Sequence, residues 1–169
     1  MLTAEELIRF LRLEPLPREG GWYRETYRSA RRWPDAARAA GTAIYYLLTP
    51  DTFSALHRLP TDEVFHFYLG DPVEMLQLGP SPGDGGHIVT LGPDILGGQQ
   101  VQTVVPAGVW QGGVLRDGGR FALLGTTMAP GFDFADYEAG ERPVLTHMYP
   151  AFAERIARLC AIVDSERGA

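Results

Sequence analysis

The 169-residue chain is 45% apolar and 21% charged, the balance of a globular protein with room for one core. Its 15 basic and 21 acidic side chains leave a net charge of −6, which argues against nucleic acid as a partner. No apolar run approaches the roughly 18 residues of a membrane-spanning helix, and the opening segment MLTAEELIRF lacks the order of a secretory signal. Every basic residue is arginine, and lysine and asparagine are absent, which excludes Schiff-base chemistry, a P-loop lysine and N-linked glycosylation. A single cysteine, Cys160, allows no intrachain disulfide and no multi-thiolate zinc site; it fits a reducing, cytoplasmic setting.

Thr3, with Glu6 three residues on, forms a capping box ahead of Leu7, Ile8, Phe10 and Leu11, so a helix is expected over about 3–12. Short β-rich runs follow at 22–29, 42–48, 52–57, 63–69, 73–78, 87–91, 99–105, 109–115 and 120–129. Gly, Pro and Asp fill their connections, as in GPSPGDGG and GPDILGG. A last helix is expected over 150–165, with Phe152, Ile156, Leu159 and Val163 as its apolar stripe and Cys160 beside it as a small buried residue. Many strands without intervening helices indicate an all-β sandwich or barrel in a single domain spanning 1–169.

In WYRETYRS, Tyr23, Glu25, Tyr27 and Ser29 share one strand face, and Trp22, Arg24, Thr26 and Arg28 share the other. Either this is an outer strand with solvated arginines, or Arg24 or Arg28 meets an anionic ligand or a partner subunit. The densest chemistry lies in SALHRLPTDEVFHFYLG. His57 ends one strand, 60–62 turn the chain and Glu63 opens the next strand, so the imidazole and the carboxylate converge at the mouth of the β-structure. Along that second strand Glu63, Phe65, Phe67 and Leu69 face one way, and Val64, His66 and Tyr68 face the other.

His57, Glu63 and Gly70 stand at the spacing of the first cupin motif, with Leu59 where its second histidine belongs; Pro106, Gly108 and Gln111 match the second motif, with glutamine in place of histidine. The chain thus resembles the cupin superfamily. GGWYRETYRS, TAIYYLL, DEVFHFYLGDPVEM, PAGVWQGG and APGFDFADYE look like its cupin-five branch, a resemblance running from about residue 11 to 148. The resemblance implies a double-stranded β-helix, a jelly-roll barrel over about 20–138 flanked by short helices, and a homodimer. It names no reaction.

In metal-binding cupins three histidines and a glutamate hold a divalent ion. Carried over, this chain keeps His57 and Glu63, offers only an amide oxygen at Gln111, and has no donor at Leu59. The expectation is therefore no metal cofactor, with a divalent ion on His57, Glu63 and Gln111 as the alternative. Without an ion, His57 and Glu63 become an acid/base pair in an apolar cup, with Gln111, Trp110, Phe65, Leu59 and Arg24 contacting a small-molecule ligand. The leading function is a metal-independent isomerase or epimerase acting on a sugar-like or acidic metabolite. The others are a non-catalytic binding module and a metal-dependent enzyme with a degenerate ligand set. His66 is expected to pack or meet a partner, and His87 and His147 to be exposed. Asp133 and Asp136 are expected to order the chain after the last strand, and Phe132 and Phe134 to make dimer or barrel-closing contacts.

Overall fold

Side-chain alternation builds a jelly roll from two antiparallel sheets with apolar inner faces. The computed structural model describes residues 2–33 and 38–160; Val163 and the rest of 161–165 in the expected last helix lie outside them. In chain order the elements are α1 (Ala4–Leu11), β1 (Glu14–Pro15), β2 (Trp22–Arg28), β3 (Thr42–Leu48) and β4 (Phe53–Arg58). There follow β5 (Glu63–Gly70), β6 (Val73–Leu78), β7 (Gly86–Leu91), β8 (Gln102–Val105), β9 (Trp110–Leu115) and β10 (Ala122–Met128). The described chain closes with β11 (Glu138–Ala139), α2 (Arg142–Met148) and α3 (Ala153–Leu159).

Among the described residues, the larger sheet runs β1-β2-β3-β10-β5-β8 and the smaller β11-β4-β9-β6-β7. No strand is shared between them, so the expected barrel is an open two-sheet jelly roll. Tyr46, Leu48, Phe65, Met75, Leu115 and Leu124 interlock between the inner faces. The outer face of the larger sheet is covered at one end by α1, whose Leu7 packs with Leu47, Phe121 and Leu123. On the other side α2 and α3 seat Leu145, Ile156, Leu159 and Cys160 against Leu56, Leu76 and Trp110.

Local chemistry explains the boundaries. The Thr3 capping box closes as expected: its hydroxyl accepts from Glu6 N at 3.2 Å, and Glu6 Oε2 accepts from Thr3 N at 3.0 Å. Gly70 ends β5 with φ +107°, and a Cβ there would run into the Phe121 carbonyl oxygen; the motif glycine is required by backbone approach. The last helix starts after a 3₁₀ turn at Pro150–Phe152, and α2, which the apolar spacing did not signal, precedes it. Only Leu145 is buried among the seven residues of α2, too short a stripe for periodicity to register.

Candidate functional site

The site begins in the turn between β1 and β2. Arg18, Gly20 and Gly21 all take positive φ, and the Leu16 and Gly21 backbones bond at 3.0 Å to close the turn. At Gly21 a Cβ would meet the Tyr46 ring at 2.8 Å, so this turn requires glycine. The turn presses Glu19 inward, where its backbone oxygen accepts from Ala55 N at 2.7 Å and its Oε1 accepts from the Ser54 hydroxyl at 2.9 Å. Glu19 thereby reaches the inter-sheet space from outside the strand pattern.

Glu63, at the start of β5, reaches the same space from the larger sheet. Its Oε2 accepts from Gln111 Nε2 at 2.7 Å, a bond that crosses to β9 of the smaller sheet. Gln111 lies opposite His57 in the β4–β9 pairing. His57 is 1% exposed, its Nδ1 donates to the Ala55 carbonyl at 2.7 Å, and its Nε2 is 3.9 Å from Glu19 Oε2. Since a carbonyl can only accept, the Nδ1 proton is fixed and Nε2 is left as the titrating atom. Tyr137 stacks on the imidazole with ring centroids 4.9 Å apart.

Glu19 and Glu63 both line a 460 Å³ cavity between the inner face of the larger sheet and residues 132–134. Its walls include Tyr23, Ile44, Leu59 and Met128, with Phe132 and Phe134 closing one side. Arg28 and the Thr42 hydroxyl hold this closing segment, through the Phe132 carbonyl at 3.2 Å and the Phe132 amide at 3.0 Å respectively.

Burial dominates the electrostatics. It pushes the Glu19 carboxyl up to about 7 from an ordinary 4.5, against the hydrogen bonds of Ser54 and Tyr46. Burial also raises Glu63, and the Glu19 charge adds to the rise, while His57, Gln111 and Thr126 oppose it. Burial lowers His57, and the Glu63 charge only partly offsets this, so its ring is neutral near pH 7. Two neighbouring carboxyl groups that both resist ionisation retain a proton near neutrality.

The structure places the anticipated residues unequally. Glu63 and Leu59 line the cavity, while Gln111 bonds Glu63 and His57 stands behind Glu19. Phe65 is packed in the inter-sheet core instead of lining the cavity. Trp110 faces the opposite way from Gln111, because β9 alternates; it sits under Arg58 at 4.5 Å and packs with Leu145. Arg24 likewise lies outside the cavity, over Tyr45 at 5.5 Å. A register shift between Glu25 and Tyr27 moves Arg28 to the inner face with Tyr23 and Glu25, against simple alternation. Glu19 was missed: the turn around it reads as an ordinary Pro/Gly loop, and only the Gly-Gly pair after it hints at a constrained backbone. His66 faces outward, bonded to Thr127 and Gln102 at 3.0 and 3.1 Å, and His87 and His147 are exposed. Asp133 accepts from Ala135 N at 2.9 Å and Asp136 pairs with Arg38 at 2.6 Å, which orders the segment after β10.

The residues do not fit the divalent ion of metal-binding cupins. Leu59 supplies no donor, the Gln111 amide nitrogen points at Glu63, and no group of three His, Cys, Asp or Glu among the described residues is arranged to hold an ion.

The raised Glu19 has a signed consequence for stability. Its proton is bound in the folded chain and released from the unfolded chain between 4.5 and about 7, so stability is fully present below that window and is lost as pH rises through it. Glu19→Gln is expected to gain about 2 kcal/mol on the parent between about pH 5 and about pH 8, read from urea midpoints. His57, lowered in both proteins, cancels in the difference. Parallel pH curves for the two proteins contradict the buried charge.

Comparison with known proteins agrees with this architecture. The Cupin_5 family, described as Cupin superfamily (DUF985), matches residues 5–140. An uncharacterised protein of Saccharomyces cerevisiae, YML079W, is 30% identical over 142 residues, covering 71% of this chain and 67% of that protein. The crystal structure of protein SO0799 from Shewanella oneidensis is 34% identical, covers 94% of this chain and 98% of that chain, and superposes with a TM-score of 0.85. A dTDP sugar isomerase from Desulfovibrio desulfuricans G20 shares the fold at 18% identity and TM-score 0.52, over 76% of this chain and 80% of that one. With its family match, its relatives and its two-sheet jelly roll in agreement, the chain belongs to the Cupin_5 family of the cupin superfamily.

Proposed function

We propose that this cupin binds a small metabolite in the Glu19–Glu63 cavity and isomerises or epimerises it by metal-independent proton transfer. The observation that carries the reading is the pair of buried carboxyl groups, one from a turn and one from β5, on the wall of a single cavity. At neutral pH the pair holds a proton, which supplies a base and an acid side by side. The carboxylate removes a proton from a carbon next to a carbonyl group. The C–H electron pair moves into a carbon–carbon double bond, and the carbonyl oxygen takes the proton of the other carboxyl group. The reverse transfers, at the adjacent carbon or on the opposite face, give the isomer or epimer and restore the pair.

His57 is then a positioning residue that acts through Glu19, with its ring fixed by Ala55 and Tyr137. Of the ligand classes expected, the sugar-like one is preferred. The fold shared with a dTDP sugar isomerase suggests it, and the cavity's guanidinium, on Arg28, is already paired with Glu25. The reading includes a cytoplasmic location, in keeping with one buried thiol at Cys160.

The test is deuterium uptake from D2O by a panel of aldoses, ketoses and amino sugars. Uptake next to the carbonyl is expected with the parent protein, at least about 100-fold slower with Glu63→Gln, and with a displaced pH–rate profile in His57→Ala. Thermal stabilisation by a panel member without any exchange overturns the isomerase and leaves a non-catalytic binding module.

A homodimer belongs to the same proposal. Away from α1, the outer face of the larger sheet exposes Tyr27, Tyr68 and Val104, an apolar surface suited to a second copy. Light scattering is expected to read twice the 18.6 kDa chain mass, and a reading of one chain mass contradicts the dimer.

A further inference from the structure

We infer that the ligand of this cavity is a small organic cation, a protonated amine set against the carboxylates and aromatic rings of the wall. The inference rests on the cavity being a ligand site and names the class of ligand it takes. Glu19, Glu25, Glu63 and Asp133 are the acidic residues lining it, and Arg28 is the one basic residue among the described lining residues. That guanidinium is already engaged: Nε and one terminal nitrogen donate to Glu25 at 2.9 and 2.7 Å, and the latter also to the Phe132 carbonyl at 3.2 Å. An anionic ligand would have to share this guanidinium with Glu25, and would still face the other acidic groups.

Hydrogen-bond capacity points the same way. The buried donors near the carboxyl groups are spent, with the Ser54 hydroxyl on Glu19 and the Gln111 amide on Glu63. Gln111, 2% exposed and outside the cavity lining, brings no free donor into it, and its own carbonyl oxygen is without a hydrogen-bond partner. Apart from the one proton the carboxyl pair retains, the lining is therefore rich in acceptors and poor in free donors. An ammonium group carries three donors and no acceptor, the complement of that set. Tyr23, Phe132 and Phe134 add aromatic rings to the same wall, groups that attract a cation and accept the apolar body that bears it. A sugar-like ligand that meets these demands carries an amino group.

The experiment titrates the 169-residue chain with three probes of matched shape, benzylammonium, benzyl alcohol and benzoate, and follows chemical shifts of cavity residues by NMR. Benzylammonium is expected to bind at least about tenfold more tightly than either of the others. Glu19→Gln and Glu63→Gln are each expected to shrink that preference. Glu25→Gln, an exposed change that leaves the core untouched, frees Arg28 and is expected to raise the affinity for benzoate. Benzyl alcohol or benzoate binding as tightly as benzylammonium overturns the cation and leaves the ligand site standing. No perturbation of cavity residues by any of the three, at millimolar concentration, overturns the ligand site itself.

Discussion

The Glu63 carboxylate, drawn to the smaller sheet by the 2.7 Å bond from Gln111, is the contact on which the rest of the site depends. It ties β5 of one sheet to β9 of the other, and it buries an ionisable group 7% exposed between the sheets. A charge in that position needs partners, and the fold supplies the hydrogen bonds of Gln111 and Thr126, joined by the charge of His57 only when that ring is protonated. Glu19 then brings a second carboxyl group into the same space. Like charges so placed resist joint ionisation, and the retained proton turns a structural liability into acid/base capacity.

Gln111 also explains how a cupin scaffold can leave the metal-binding class while keeping its pocket. A histidine at this position would offer a lone pair to an ion. The amide instead donates to the glutamate and holds it without needing a cation. With Leu59 apolar, the remaining donors cannot surround an ion. In the proposed function, binding and proton transfer then fall to the chain's own carboxyl groups and to whatever donors the ligand brings.

Much of the fold was legible from side-chain alternation. The faces of β5 came out as read through Phe67, with Glu63 and Phe65 inside and His66 outside, because a strand's period of two leaves little freedom once one face is buried. Leu69, expected inside, is instead exposed, since a register shift against β10 pairs it with Leu123 of the outer face. The same rule, applied to β9, separates Trp110 from Gln111, so the two neighbours in the motif cannot share one face of the strand. Arg28 escaped alternation because of the register shift in β2, which nothing in WYRETYRS announces. Glu19 was beyond reach for a different reason: its position depends on left-handed residues on both sides of it, Arg18 before and Gly20 and Gly21 after, and on a long-range bond to Ser54, none of which has a period. The expected pair of His57 and Glu63 was thus half of the arrangement, with His57 set behind the carboxyl group that reading did not include.

The most direct measurement is the titration of the glutamate side-chain carboxyl carbons by NMR in ¹³C-labelled protein, with Glu19 and Glu63 assigned by substitution. The account predicts a Glu19 midpoint of about 7, a Glu63 midpoint also raised above 4.5, and a fall in the Glu63 midpoint on Glu19→Gln. If both groups ionise in the ordinary carboxylate range, unaffected by each other's removal, the cavity holds two independent anions and the proposed proton chemistry is wrong.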